Sequence, residues 1–571
     1  MLDSNIHFSD VLVIGSGLAG QSSALAASKY SNHVTILSKV SVMRSHSVAA
    51  GGGINSVSGY EDSIDDHFVD TVQGSDYLAD QNAVKILVKN APFEISFLEE
   101  LGVKFDKIGD KILPNKFGGA KFARTLNSSF KTGLSIMDSL FDSIKNSNIS
   151  LFEGFHVIDL LVQNNTCFGI MALNMKNSQL TPFFSKTTIL ATGPYGYLFN
   201  NTTNSVICTG DGLAIAYRAG ASLKDMEFVQ FHPTSLIGSN ILITERARAK
   251  GAYLLNNKGE RFLKKYAPKS MELAPRDIIS RAIIKEIELG LAFEDAEYGS
   301  YMELSFTHLP EDIILQSLKD IRDIGLHFTK TDIITEPLKV IPAQHYMMGG
   351  IDVDLNCNTD VNGLYAAGEC ACLSVHGANR LGGNSLMECL VFGRISGKSA
   401  SIYSQSIFNF DYDIANQLVL KQESKFKKTI NSILNSSENL NISHILKEMK
   451  IIMTSHASIS RNKKSLQHAK EQLSKLQILM NDIRINNSDT YSNIELCSYF
   501  ELHNMLDLSE IIIESSLERK ESRGSHFRLD YPIRNDKEWL NHILIKKTDS
   551  GFNLSTKSVD LSDLSLKTRN Y

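Results

Sequence analysis

At 571 residues, with 43% hydrophobic and 21% charged residues, the chain is long enough for several packed domains, and its composition excludes a disordered or fibrous protein. A formal net charge of -5 and the lack of any polybasic block leave no electrostatic footprint for nucleic acid. The seven cysteines are scattered, only Cys370 and Cys372 lying close together, which excludes a disulfide framework and the grouped ligands of an iron-sulfur cluster; no metal site is expected. The first predicted element is a buried strand beginning near Ser9, which leaves no room for a signal peptide ahead of it. Its apolar run, Asp10 to Ile14, ends in Gly15-Ser16-Gly17-Leu18-Ala19-Gly20, and a helix-like Ser22 to Lys29 and a second strand, Val34 to Leu37, follow. This strand, glycine turn, helix, strand unit has the length a dinucleotide fold needs. Gly15 allows the tight turn, Gly17 lets backbone approach a pyrophosphate, Gly20 permits close helix packing, and the helix N-terminus offers unpaired N–H groups. Ser38-Lys39 stands where a ribose-binding acid usually ends the second strand, which argues against a generic NAD site.

The next segment, Met43-Arg44-Ser45-His46-Ser47-Val48-Ala49-Ala50-Gly51-Gly52-Gly53-Ile54, joins one histidine to a run of small residues that lets backbone lie on a flat ring. With SK, RSH and GG following the glycine turn in this order, the sequence resembles the flavoprotein subunits of succinate dehydrogenase and fumarate reductase. Further matches span nearly the whole chain: HFVDTVQGSDYLADQ from His67, KFGGAKFARTLNSSFKTG from Lys116, ILATG from Ile189 and TGDGLAIAYRAGASLKDMEFVQFHPT from Thr209. The resemblance implies FAD, with His46 as the histidine whose ring nitrogen carries the flavin 8α-methyl group. Beside the glycine turn it implies FAD contacts from Ser38, Lys39, Gly52, Gly53, the ATG turn at Gly193, Asp211 in TGDG, Glu369 in GLYAAGE, and Ser385. Acidic groups suit Asp211 and Glu369 because sugar hydroxyls need strong acceptors, and Asp211 also suits an Asx turn.

Interconverting succinate and fumarate requires clamps for two carboxylates, a group that moves a proton, and a flavin that moves a hydride. The segments FHPT, LITE, QHYMMGG and GANRLGGNS match the family's substrate site, which implies that His232, Thr244, His345 and Arg380 bind the carboxylates. Arg380 can grip one carboxylate bidentately, and Phe117 in the FGG segment is expected to press on the central carbons. MELAPRD matches the segment of the family's catalytic arginine, so Arg276 is the expected proton donor for fumarate reduction, with Glu245 and Arg248 as relay partners. A carboxylate between two arginines passes a proton without leaving a lasting uncompensated charge. Three positions depart from the family pattern: Gly51 replaces Gln or Glu beside the flavin, Ala249-Lys250-Gly251 replaces Gly-Glu-Gly, and Phe130 replaces an acid before Lys131.

The expected fold is α/β: a Rossmann-like FAD-binding domain in two parts, residues 1–234 and 343–405, with an inserted α+β capping domain at 235–342. A helical domain at 406–520 and a C-terminal domain at 521–571 follow. Closure of the cap would exclude water and bring the proton relay to the substrate. Leu466, Ala469, Leu473, Leu476 and Met480, and likewise Ile442, Ile445, Leu446, Met449 and Ile452, recur at helical spacing and predict two amphipathic helices. The charged segment Arg519 to Pro532 reads as structural.

No apolar stretch approaches a membrane span and no cluster motif is present, so the resemblance places the iron-sulfur subunit and the membrane anchor on other chains. The implied location is cytoplasmic, on the inner face of the cell membrane through those partners. Two other readings stand beside this one. L-aspartate oxidase shares the HPT, GANRL and SRG motifs but lacks the histidine at the position of His46. A flavin-binding assembly subunit without turnover would need none of His232, Glu245, Arg276, His345 and Arg380.

Overall fold

Val11-Leu12-Val13-Ile14 is apolar at every position, the pattern of a strand covered on both faces. In the computed structural model, which describes residues 6–59, 61–128, 131–438, 440–487 and 491–567, this run lies in strand His7–Ile14 near the middle of a seven-stranded sheet. The strand is parallel to Val34–Ser38 on one side and to Gln179–Leu190 on the other, and Leu364–Ala366 also pairs with Gln179–Leu190. Phe130 lies outside the described residues.

Helix Leu18–Ala27 begins four residues before the predicted Ser22, directly after Gly17, and strand Val34–Ser38 runs one residue past the predicted end. The early start follows from close packing: a Cβ on Gly20 would stand 1.9 Å from the Gly15 carbonyl oxygen, so only glycine lets the helix leave the turn at once. The helix is buried almost all round against Asn384–Ser406, where a Cβ on Gly397 would lie 2.0 Å from the Ser23 carbonyl oxygen.

The chain passes to the cap through strand Val229–Leu236 and returns through Leu338–Met347, and the two strands are antiparallel neighbours with His232 opposite Ala343. Gly299–Ser305 and Tyr253–Leu255 extend this sheet. Leu254, Phe262, Ile283, Met302, Phe306 and Val340 belong to a hydrophobic core separate from that of the main sheet.

The predicted amphipathic helices are Ile442–His456 and Lys463–Leu479, and they bury the faces formed by Ile445, Met449 and Ile452 and by Leu466, Ala469 and Leu473. With Tyr412–Leu434 and Ile494–Glu518 they share one continuous apolar core with the main sheet. A final hairpin, Asn541–Thr548 with Gly551–Ser558, pairs with Leu223–Lys224. No described helix is long and apolar enough to cross a membrane.

Candidate active site

The sequence candidates come from distant parts of the chain, and all but Gly20 and Arg248 line one cleft. At its floor lie Gly15, Gly17 and the start of helix Leu18–Ala27, followed by Ser38, Lys39, Gly52, Gly53, Gly193, Asp211, Glu369 and Ser385. Space beside Gly52 and Gly193 is open: a Cβ at either would meet nothing within 4 Å. Gly20 acts in helix packing instead.

His46 lines the same cleft. The Asn204 amide donates to its Nε2 at 3.2 Å, Nδ1 has no partner, and burial lowers its pKa to about 4, so the ring is neutral. Asn204 also donates to the His345 carbonyl oxygen at 3.1 Å, and Thr203 shares a 2.8 Å hydrogen bond with His345 Nδ1. One loop therefore orients both histidines.

His232 and His345 project from the paired cap-entry strands with ring centroids 5.2 Å apart. Burial first, then the neighbouring arginines, hold both well below the usual histidine range. Thr234 holds His232 Nδ1 with its carbonyl oxygen at 3.2 Å and its N–H at 3.3 Å, and Nε2 is buried without a partner. Thr244 Oγ1 and Arg380 Nε are likewise buried without partners. Arg380 Nη1 donates to Ser385 at 3.1 Å, the guanidinium lies 4.4 Å from the Tyr346 ring centroid, and burial together with Arg276 lowers its pKa to about 10.

Arg276 and Glu245 form a buried ion pair. Arg276 Nε and Nη2 donate to Glu245 Oε2 at 3.3 and 3.2 Å, and Nη1 donates to Gln230 at 3.1 Å. Burial acts to raise the Glu245 carboxyl, but Arg276 and Arg248 outweigh it and hold the group ionised. Arg248 does not bond to Glu245: its Nη1 donates to the Glu272 carbonyl oxygen at 2.7 Å, and Nε and Nη2 have no partner. Of the three residues expected to form a relay, two are bonded to each other and the third reaches Glu245 through its charge alone. Lys250 is exposed at the end of helix Glu245–Ala249 and stays out of this group.

Two FAD-side acids differ from the expected free acceptors. Asp211 Oδ2 accepts from Lys39 at 2.7 Å and Oδ1 from Thr209 at 3.0 Å and Asn504 at 2.8 Å, so its carboxylate is already occupied in fixing Lys39. Glu369 is pushed up to about 8 by burial and is a neutral acid at pH 7, with Oε1 accepting from the Met347 N–H at 3.1 Å.

The FAD binding domain model matches residues 10–386, and the fumarate reductase flavoprotein C-terminal model matches residues 446–571. The succinate dehydrogenase flavoprotein subunit of Rickettsia bellii is 38% identical over 582 residues, covering 98% of this chain and 96% of that one. This chain belongs to the succinate dehydrogenase and fumarate reductase flavoprotein family. Among other relatives, the 8-methylmenaquinol:fumarate reductase flavoprotein subunit of Wolinella succinogenes is 38% identical over 578 residues, covering 100% of this chain and 93% of that one. A quinol fumarate reductase structure from E. coli superposes with a TM-score of 0.95 at 34% identity, covering 99% of both chains.

FAD is the family's cofactor, and the cleft fits it: a glycine turn at a helix N-terminus for the pyrophosphate, open space at Gly52 and Gly193, and an unpartnered His46 Nδ1. Several contributors carry no motif signal. Gln230 was within reach of sequence reasoning, since it lies two residues before His232 and therefore on the same strand face, and it ties Arg276 to the Arg380 carbonyl oxygen at 2.9 Å. Thr203, Asn204 and Glu501, which accepts from Lys39 at 2.8 Å, gave no such signal.

Proposed function

We propose that this flavoprotein interconverts succinate and fumarate, with FAD attached at His46. The observation that carries the reading is the set of unpartnered polar atoms, His232 Nε2, Thr244 Oγ1 and Arg380 Nε, in a cleft that also holds the Arg276–Glu245 pair. A buried donor without an acceptor is costly, and a dicarboxylate supplies the missing acceptors. The dianion also relieves the repulsion between the Arg276 and Arg380 guanidiniums.

FAD, when bound, supplies the hydride chemistry. Arg380 grips one carboxylate, and His232, Thr244 and His345 hold the other end, so the carbon chain is fixed between them in the cleft. Phe117, buried on the cleft wall, presses on the central carbons and keeps water from them. Arg276 gives a proton to the substrate carbon in fumarate reduction and takes it in succinate oxidation. Glu245 keeps that guanidinium in place, takes up a proton from solvent and hands it on to Arg276, and Arg248 favours return of the carboxylate to its ionised form.

We assign residues 1–234 and 343–405 to the flavin domain, 235–342 to the cap, 406–520 to the helical domain and 521–571 to the C-terminal domain. Two structural relatives, each at 34% identity, are chains of quinol fumarate reductases. By that kinship the electrons are exchanged with an iron-sulfur subunit and a membrane anchor, which hold this chain at the inner face of the cell membrane.

The test is acid precipitation of the purified protein followed by in-gel flavin fluorescence, beside a succinate-driven dye assay. Flavin is expected to stay with the wild-type chain, to be released from His46→Ser, and to be reduced by succinate. Flavin released from the wild type and reduced by aspartate would instead point to an oxidase.

A further inference from the structure

Tyr346, His376 and Glu388 form a cluster behind Arg380, and each is at most 4% exposed. The Tyr346 hydroxyl donates to Glu388 Oε2 at 2.6 Å, and His376 Nε2 lies 2.9 Å from the same oxygen. Neither His376 nor Glu388 lines the cleft, but Tyr346 does, and the Arg380 guanidinium lies over its ring, 4.4 Å from the centroid. Given the carboxylate-clamp role of Arg380 proposed above, on which this inference rests, we propose that Tyr346, anchored by Glu388 and His376, is the positioning residue of that clamp. The ring holds the guanidinium by its face and leaves its donor edge to the substrate.

Three observations support the assignment. First, a buried guanidinium needs a compensating charge, yet a carboxylate bonded to it directly would occupy the donors that a bidentate grip requires. Glu388 bonds the tyrosine hydroxyl instead, so its charge acts on Arg380 across the ring. Arg380 Nε stays without a partner, while Nη1 donates to Ser385 at 3.1 Å. Second, the charge states suit the task. Burial acts to raise the Glu388 carboxyl, but His376, Tyr346 and the Arg380 charge outweigh it and hold the group below the usual carboxylate range. Burial and then Glu388 push the Tyr346 hydroxyl well above the usual phenol range, so a neutral phenol donates to an ionised acid. A phenol polarised in this way presents a more negative ring face, which strengthens its hold on a cation. Third, the parts sit on the elements that build the cleft. Tyr346 follows His345 on strand Leu338–Met347, His376 lies four residues before Arg380, and Ser385 and Glu388 open helix Asn384–Ser406. The strand thus fixes the guanidinium by its face and the helix by one edge.

The grip on a carboxylate is the same in bound substrate and in the transition state, so loosening it shows in substrate affinity rather than in turnover. A tyrosine that only filled the interior would behave differently. Its loss would lower the thermal midpoint and the flavin content and leave dicarboxylate affinity to Arg380.

Tyr346→Leu, Tyr346→Phe, Glu388→Gln and Arg380→Gln are compared in flavin-loaded protein by malonate titration, read from the flavin absorbance, and by dye-driven fumarate reduction. Tyr346→Leu is expected to raise the malonate Kd and the fumarate KM together about tenfold, the contribution of one buried cation–π contact, with a much smaller change in kcat and unchanged flavin content. Tyr346→Phe and Glu388→Gln keep the ring but lose its polarisation, and a rise of about threefold is expected of each. Adding Tyr346→Leu to Arg380→Gln should weaken malonate no further, because a positioning residue has nothing to act on once the clamp is gone. A wild-type malonate Kd in Arg380→Gln overturns the clamp reading itself. A large loss there overturns the positioning role if Tyr346→Leu keeps the wild-type Kd, or if the double variant loses a further tenfold or so. If Tyr346→Leu fails to hold flavin, Tyr346→Phe and Glu388→Gln decide: weakened malonate at an unchanged thermal midpoint sustains the role, and wild-type affinity in both overturns it.

Discussion

His67 and His542 are both buried yet hold opposite protonation states, and the difference lies in their neighbours. Burial lowers His67 to about 4, helped by the charge of Arg124, and the Asn384 side chain 3.0 Å away and the charge of Asp62 do not offset it. Burial also acts to lower His542, but the carboxylates of Asp225 at 2.6 Å and Asp80 at 3.2 Å outweigh it and raise the group to about 9. The two make opposite contributions to stability against pH. The stability tied to neutral His67 is present above the unfolded histidine value of about 6.5 and is lost as pH falls toward its folded value. The stability tied to charged His542 is full below about 6.5 and is lost as pH rises through its folded value. His156, raised to about 9 by Asp211 against the burial that lowers it, adds to the alkaline loss. Thermal midpoints of the flavin-loaded protein are therefore expected to peak near neutral pH. His542→Gln should shallow the decline between about pH 6.5 and 9, and an unchanged alkaline slope in that variant would remove His542 from the account.

At the scale of elements, the site is built where helices and strands meet end-on. Arg276 opens helix Arg276–Glu288, where a cation faces the positive end of the helix dipole, and the Glu245 carboxylate offsets that cost. The paired strands Val229–Leu236 and Leu338–Met347 deliver His232 and His345 at the cap's entry, so cap position and substrate contacts are set together. Helix Ile494–Glu518 reaches the other end of the cleft: Glu501 accepts from Lys39 at 2.8 Å and Asn504 donates to Asp211 at 2.8 Å. This ties the helical region to the flavin floor. In a His46→Ser background, where FAD is held without a covalent bond, Glu501→Gln should weaken FAD binding about tenfold, the loss expected from one charge-assisted hydrogen bond. Fluorescence titration with FAD reads this directly, and an unchanged Kd would mean that Asp211 and Thr209 hold Lys39 unaided.

Across the whole molecule, a buried ionic network joins the C-terminal region to the main body. Arg519 donates to Glu227 at 2.6 Å and to the carbonyl oxygens of Trp539 and Asn541 at 2.9 and 2.8 Å, with Glu521 at 3.2 Å. Arg523 bonds Glu521 at 2.7 Å and Arg528 bonds Asp530 at 2.9 Å. Burial pushes Glu227 up to about 7 against the pull of Arg519, so this carboxylate depends on its cation. Arg519→Met leaves Glu227 and Asp225 in the interior without that partner and should cost about 3–5 kcal/mol. Urea unfolding of the intact chain measures it, and a loss under about 1 kcal/mol would show that the network rearranges around the gap.

The sequence by itself determined the glycine turn, the flanking strands, the His46 segment and the four motifs that carry His232, Glu245, His345 and Arg380. These were legible because each depends on residues a few positions apart: φ freedom at a turn, apolar periodicity along a strand or helix, and the short segments whose order carries the family resemblance. The helices at Ile442–His456 and Lys463–Leu479 were legible for the same reason. Only the tertiary structure decided which of the chosen side chains bond to one another. Lys39 and Glu501 are 462 positions apart, Arg523 meets the Asp76 carbonyl oxygen across 447, and Arg248 turns to Glu272 instead of Glu245. Such contacts depend on how layers pack, and a residue's type and neighbours in sequence do not encode the direction its charge must face once it is buried.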